Sequence, residues 1–335
     1  MTDANASMDL GAALEPLRPG LRLHCYRMLG SSHDSDDMVQ EAMLRAWRAR
    51  GSLADPARVK PWLYRIATNA CLDELRSRSR RGLAVDIAAP VPGDSFPPAA
   101  PIEDAAWLEP MPDGWLAGCG DDPEARYTLR ESVALAFVAA LQVLTPPQRA
   151  VLLLRDVVGL SAVETAEALA CSVSAANSTL HRARVALEER VGPRAGWSPE
   201  VGAVDRALLE RYVRAWEQGD LDAIIALLHD DVTLSMPPRP TWIAGRADVA
   251  RFFTNRVLQA VREHRFRTAL VDANGGTGAG FYRLDDDGQA SFFALQVLEA
   301  KNGRIHVIDH FMSASAHAAF FGSGLPRTLA VTPRG

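Results

Sequence analysis

The stretch Cys171–Leu187, CSVSAANSTLHRARVAL, carries side chains suited to a nucleic acid at helical spacing. Ser174, Ala175, Asn177, Ser178 and His181 come first, then Arg182 and Arg184. Asn can read adenine through two hydrogen bonds, Ser and His reach bases or phosphates, and Arg neutralises phosphate. Cations are scarce, with no Lys or Arg from Cys171 to Leu180. A second set lies in PWLYRIATNACLDELRSRSR, where Trp62, Tyr64, Arg65, Asn69, Asp73 and Arg76 precede Arg78 and Arg80. Aromatics that stack on bases and cations along a backbone are how single strands are held. Trp62 would serve equally well as core. A third set, Asp37, Gln40, Glu41, Arg45 and Trp47, forms either a solvated helix face or a seat for a partner. A fourth, Trp107, Leu108, Pro110 and Trp115 in WLEPMPDGWL, either tacks its segment onto a neighbour or contacts a partner or the C-terminal domain.

The elements that position these residues are mostly helices. In SAVETAEALACSVSAANSTLHRARVAL, apolar Val163, Ala166, Leu169, Val173, Leu180 and Val185 would face a shared core. Ala170–Ser172 makes the turn, and Ser172 can cap the second helix, as in a helix-turn-helix whose second helix enters the major groove. An ordinary helical hairpin fits the same pattern. Thr145-Pro-Pro-Gln148 and Ser161-Ala-Val-Glu164 are capping-box starts. Helices are expected at about 128–143, 146–156, 161–170 and 173–190. Upstream, the periodicity predicts helices over Leu10–Leu29, Asp36–Arg50 and Trp62–Arg81, with a loop at 51–61.

Between these groups, APVPGDSFPPAAP cannot sustain a helix, because Pro lacks the amide donor. Residues 82–126 read as an acidic, flexible linker. From Gly82 to Ala125 there is no Lys or Arg, so the net charge of -5 hides a basic end to the preceding helix. After a second linker, helices at Val204–Gln218, Leu221–Leu228 and Ala247–Glu263 give way to period-two segments at 265–273, 276–284, 289–300 and 304–312. This is an α+β domain. His229, Asp231, Trp242, His264, Asp309 and His310 are its polar candidates, but they form no catalytic constellation. Asp309 and His310 alternate, so only one can face inward.

At 335 residues the chain has room for two or three domains. No apolar run approaches the ~20 residues of a membrane span. MTDANASMDLGAALEPL lacks the regions of a signal peptide, which argues for the cytoplasm. Four scattered cysteines signal neither a metal site nor a disulfide framework.

LTPPQRAVLLLRDVVGLSAVETAEALACSVSAANSTLHRARVAL resembles region four of the sigma-70 family of RNA polymerase sigma factors, extracytoplasmic-function (ECF) class. DSDDMVQEAMLRAWRAR with VKPWLYRIATNACLDELRSRSRR resembles region two. LLERYVRAWEQGDLDAIIALLHDDVTLSMPP, GRADVARFF and RIHVIDHF resemble the SnoaL-like polyketide-cyclase fold. The resemblance implies a multidomain protein: two all-α domains, region two at 9–81 and region four at 127–191, then an α+β SnoaL-like cone at 200–325. It further implies a promoter-specificity subunit that is not an enzyme and needs no cofactor or metal.

In such a protein Asp37, Gln40, Glu41, Arg45 and Trp47 grip core RNA polymerase, through its β′ and β subunits. Trp62, Tyr64, Arg65, Asn69, Asp73, Arg76, Arg78 and Arg80 take the −10 element. Ser174 to Arg184 read the −35 element. The acidic linker imitates nucleic acid in the polymerase cleft, and WLEPMPDGWL resembles a regulatory linker motif. The cone regulates in cis, with a small-molecule ligand as an open question. A ligand-responsive DNA-binding regulator, or a cyclase bearing a helix-turn-helix, is the competing reading, and neither would need region two. The chain departs from the family at Ala170, where a Gly is usual, and at Asn177 and Thr179, where basic residues are common.

Overall fold

The computed structural model describes residues 10–53, 55–77, 81–95, 99–102, 107–119, 129–191, 201–257, 263 and 265–329. The chain divides into two compact units, Met1–Arg80 with Trp115–Gly192, and Arg81–Gly114 with Pro193–Gly335.

The first unit is helical. The expected helix over Leu10–Leu29 is two helices, α1 (Leu10–Leu14) and α2 (Arg18–Leu29), joined by a 3₁₀ turn at Glu15–Leu17. Pro16 and Pro19 explain the break, since neither can donate an amide. Gly30 ends α2 at φ 69°, the left-handed terminus that glycine adopts freely. Helix α3 (Ser32–Arg48) starts four residues ahead of expectation, because Ser31 Oγ accepts from the Asp34 amide. After the 51–58 loop comes α4 (Val59–Ser77). Then follow α5 (Leu135–Leu141), α6 (Pro146–Leu152) with a π turn at Leu153–Val157, α7 (Ala162–Ala168) and α8 (Val173–Val191). Both expected capping boxes are present, Thr145 with Gln148 and Ser161 with Glu164.

The two helical groups share one core. Leu21, Cys25, Met28, Leu63, Ala67 and Cys71 pack in one cluster with Leu141, Leu144, Ala150, Leu153, Leu180 and Ala183. Arg149, 3% exposed, ties them together. It donates to the carbonyls of Leu141 (3.0 Å), Leu144 (3.2 Å) and Met28, and to Gln142 Oε1 (2.5 Å). A buried guanidinium surrounded by carbonyls fits the rule that buried charge must be hydrogen-bonded. Arg27 acts alike, donating to Ser132 O (3.0 Å) and Oγ (2.6 Å).

The second unit is α+β. Its sheet runs in the order β3-β2-β7-β6-β5-β4, formed by β2 (Leu228–Ser235), β3 (Trp242–Ala244), β4 (Phe266–Ala273), β5 (Gly276–Leu284), β6 (Ala290–Lys301) and β7 (Arg304–Phe311). Short strands β1 (Val201–Ala203) and β8 (Thr328–Leu329) also pair with β6. β2 and β7 run parallel, the other pairs antiparallel. Helices α9 (Arg206–Gln218), α10 (Leu221–Ala226) and α11 (Arg246–Phe252) join the sheet in one core, and α12 (Ala314–Gly322) follows β7. Trp216 on α9 centres the core, with Phe253, Phe266 and Phe281 each edge-on at 5.4 Å. The expected helix Ala247–Glu263 is α11 plus a π turn at Phe253–Val257, and much of its remainder lies outside the described residues.

The linker departs from the expected free strap. Over its described residues to Gly114 it is seated on the second unit. Val91 N donates to Trp242 O (2.9 Å), and Ile102 N to Pro238 O (3.0 Å). Gly93 N donates to Asp248 Oδ1 (2.8 Å), and Ala99 N to Thr241 Oγ1 (3.0 Å). A Cβ on Gly93 would lie 1.9 Å from Asp248 O, so this approach requires glycine.

Candidate nucleic-acid interface

Helix α3 buries Val39, Ala42 and Ala46 and turns the opposite face outward. Asp37, Gln40, Leu44 and Trp47 are exposed along it, at positions that stack every three or four residues. Leu44 is 44% and Trp47 55% exposed, unusual for large apolar side chains, and exposed apolar clusters mark contact sites. Arg50 lies 5.2 Å over the Trp47 ring. Glu41 and Arg45 pair at 2.6 Å beside the stripe, and Arg45 also reaches Asp73 at 3.1 Å. Leu44 was missed in the sequence, although its place four residues after Gln40 puts it on the same stripe.

Helix α4 splits the second set. Asn69, Asp73 and Arg76 are exposed and Arg65 is half-buried. Asp73 accepts from Arg76 (2.7 Å) as well as Arg45. Tyr64 does not join them. It is 6% exposed, edge-on to His24 at 5.2 Å, and burial pushes its hydroxyl pKa up. One residue away on a helix, it turns roughly 100° from Arg65, into the core instead of toward a strand. Trp62 is 7% exposed and its Nε1 donates to Ser52 Oγ at 3.2 Å, so it belongs to the core and to a groove at once. That groove, about 230 Å³, is walled by Leu53, Arg58, Trp62 and Arg65 on one side and by Glu164 and Glu167 of α7 on the other. Arg78 and Arg80 lie outside the described residues. Arg81 falls in the second unit, donating to Trp107 O at 2.7 Å.

The helix-turn-helix forms as its spacing requires. Ser172 Oγ accepts from the Ala175 amide (3.1 Å) and starts α8. Ala176, Leu180 and Ala183 are buried, while Ser174, Ala175, Asn177, Ser178, His181, Arg182 and Arg184 are exposed. Ala166 is buried beneath, but Val163, Val173 and Val185 are exposed instead of sharing the core. Ala170 sits at φ 50°, the left-handed conformation for which glycine is usual. Arg184 is not a free cation. Its guanidinium grips both oxygens of Asp156 at 2.6 and 3.0 Å, a fork that fixes α8 to the π turn.

The linker motif divides. Trp107, Leu108 and Pro110 are buried in the second unit. Trp107 Nε1 donates to Ile102 O (3.0 Å), and Leu108 N to Gly82 O (3.1 Å). Met111 N donates to Asn274 Oδ1 (3.0 Å), and Asn274 N returns a bond to Met111 O (3.1 Å). Gly275 N donates to Asp113 Oδ1 (2.7 Å). Trp115 belongs to the first unit, under Arg22 at 4.6 Å and edge-on to Tyr26 at 6.5 Å.

The polar candidates of the cone are scattered. His310 bonds Gln296 at 3.0 Å, and Gln296 accepts from Tyr212 of α9 at 3.0 Å. Burial lowers His310 to about 4. Its neighbour Asp309 points to the opposite sheet face, where Ser235 Oγ donates to it at 2.6 Å. Burial raises Asp309 to about 6, and burial with the charge of Asp309 raises Glu299 to about 7. His229 and His306 meet edge-on at 5.3 Å, Asp231 only caps His229 through its amide, and Trp242 donates to Ala88 O. His264 lies outside the described residues. No nucleophile, base and orienting group converge among these residues.

Among the described residues no helix is long and apolar enough to cross a membrane. Comparison with known proteins agrees with this layout. Family models match as Sigma-70 region 2 over residues 14–81, Sigma-70 region 4 over 134–187 and SnoaL-like domain over 209–308. ECF RNA polymerase sigma factor SigG of Mycobacterium tuberculosis is 38% identical over 330 residues, covering 96% of this chain and 85% of its own. SigJ of the same organism is 30% identical over 267 residues, 78% of this chain and 75% of its own. The crystal structure of SigJ superposes with a TM-score of 0.60 at 25% identity, over 92% of this chain and 98% of that one. With both helical regions, the cone and the two relatives in agreement, the chain belongs to the ECF class of RNA polymerase sigma factors, in a form that carries a C-terminal SnoaL-like domain.

Proposed function

We propose that α3 is the seat for core RNA polymerase, on its β′ subunit, with Asp37, Gln40, Glu41, Leu44, Arg45 and Trp47 in contact. The exposed Leu44–Trp47 stripe is the observation that carries this reading. A helix that leaves a Trp and a Leu in water, beside an otherwise well-packed core, is built for a partner. The loop at 51–61 and the exposed face of α4 take the −10 strand, with Arg58, Trp62, Arg65, Asn69 and Arg76 as the contacting residues. On α8, Ser174, Asn177, Ser178 and His181 read the −35 element, and Arg182 neutralises phosphate. The thin charge of this helix is adequate, because the polymerase and the −10 contacts supply most of the affinity. The work is done with polymerase on cytoplasmic DNA, and the cone regulates it in cis through the seated 82–114 segment.

Run-off transcription with core polymerase tests the assignment. The full chain, and a chain ending at Val191, are compared on the gene's own promoter. Activity of either above core alone supports it, and failure of both overturns it. Equal output from both removes the regulatory role. Asn177→Ala is expected to relax preference at one upstream base pair, whereas Arg182→Ala weakens all promoters alike.

A further inference from the structure

The outward face of α8 carries little positive charge, and half of what it carries is cancelled. From Val173 to Glu189 its Arg and Lys residues are Arg182 and Arg184 alone. Arg182 donates to the Thr179 hydroxyl at 3.3 Å. Arg184 is held differently, since Asp156 accepts from its Nε at 3.0 Å and from its Nη2 at 2.6 Å. The two side chains are 53% and 33% exposed, so this fork lies at the surface and fills no core. Asp156 sits in the π turn Leu153–Val157, a distortion that concentrates at functional positions. The turn is fixed by its neighbours. Val158 N donates to Leu153 O (2.9 Å), Leu160 N to Leu154 O (2.9 Å) and Arg155 Nη1 to Leu160 O (2.7 Å).

Arg184 follows Asn177 by seven residues, two turns along one exposed stripe of α8. A recognition helix places its N-terminal half on the bases. A residue ~10 Å further along the axis then meets the phosphate wall of a groove about 12 Å wide. A guanidinium there adds affinity for any sequence, because it releases a counterion. With two nitrogens already on a carboxylate, Arg184 has that need satisfied. Moving to a phosphate would exchange one anion for another and leave Asp156 bare beside the duplex.

Resting on the assignment of α8 to the −35 duplex, we propose that Asp156 is a specificity-determining residue that withholds Arg184 from the phosphate backbone. The helix is then kept on its element by base contacts instead of by charge. Asp156 touches no DNA and acts through Arg184, as a positioning residue. Without it every duplex gains alike. Promoters with a poor upstream element are then occupied at concentrations that otherwise fill only good ones.

The test uses holoenzyme formed from the full chain and core polymerase. Its affinity is read by anisotropy between about 50 and 200 mM salt. The probes are a fluorescent duplex bearing the gene's own promoter and a copy with the upstream element scrambled. Asp156→Asn is expected to tighten both duplexes about three- to tenfold at low salt. It should also steepen log affinity against log salt by about 0.9, the value of one phosphate. Asp156→Asn with Arg184→Gln removes the fork at constant net charge and is expected to match the parent in both. Glu188→Gln removes a single charge one turn along α8, leaves the fork, and is expected to move the slope less than about half as far. Asp156→Asn without a steeper slope, or with weaker binding and a lower melting temperature, overturns the proposal. So does a gain confined to the unscrambled promoter, which would make Arg184 a base reader. A shallower slope in the double variant would put Arg184 on phosphate already, and an equal effect of Glu188→Gln would reduce the fork to bulk charge; either overturns it. Arg182→Ala separates this proposal from the reading beneath it. A slope shallower by about 0.9 in that variant keeps α8 on the −35 duplex even where Asp156→Asn changes nothing. No change in Arg182→Ala or in Asn177→Ala removes that assignment itself.

Discussion

Ala170 holds a left-handed backbone, φ 50°, in the turn between α7 and α8. A Cβ there meets the following carbonyl, at about 1–2 kcal/mol. Ala170→Gly should therefore raise the unfolding free energy of the helical unit by about 1 kcal/mol in chemical denaturation; an unchanged midpoint would show the turn has another support. Asp309 presents the opposite case, a group that strains the fold by its charge. Its folded pKa of about 6 lies above the ordinary value of 3.8. Its favourable contribution is thus complete below pH ~4 and is lost as pH rises through about 6. Asp309→Asn keeps an acceptor for Ser235 without the charge. It should stabilise the cone by about 1–3 kcal/mol at pH 8 and not at pH 4, seen as a flatter dependence of melting on pH. At this scale the outward face of Asn177, Ser178 and His181 was legible, because one helical period with Ala176, Leu180 and Ala183 inside decides where they point. Tyr64 and Arg184 were not. Tyr64 is claimed by His24, forty residues earlier, and Arg184 by Asp156 across a turn, and no local spacing records either.

On α3 four exposed side chains keep step over eleven residues. Leu44→Ala and Trp47→Ala should each weaken binding to core polymerase about tenfold or more, while helical content and melting stay within error of the parent. A matching loss of stability would make the stripe structural instead. Arg149 on α6 works inward. Arg149→Met would take the guanidinium donor from the carbonyls of Met28, Leu141 and Leu144, of which Leu141 keeps only the Leu144 amide. It should cost about 2–4 kcal/mol of unfolding free energy, measured in urea. Element starts set by capping boxes at Thr145 and Ser161 could be read directly. Strand β2 could not, because its parallel pairing with β7 is made some 75 residues away, and HDDV lacks the alternation of a half-buried strand.

Across the whole chain, the order of helical regions and cone was legible from motif order, but the state of the linker was not. Its Pro, Gly and Asp content says only that it makes no long helix, and a single turn forms at Ala84–Ile87. What seats it is Asn274, Trp242 and Asp248, all more than 120 residues downstream. Asn274→Gly keeps the left-handed turn at φ 53° and removes the acceptor of the Met111 amide. Hydrogen exchange at Met111 should accelerate about tenfold in that variant, with β4 and β5 unchanged; no acceleration would mean the backbone bond from Asn274 suffices. This dependence on distant residues has a consequence during synthesis. At about 5–20 residues per second, a ribosome takes roughly 10–40 s to travel from Gly114 to the end of β7. Throughout that interval the nascent chain bears an acidic, aromatic-tipped segment whose docking surface has not been made. Any early association of the newborn chain meets that segment before its own domain can claim it.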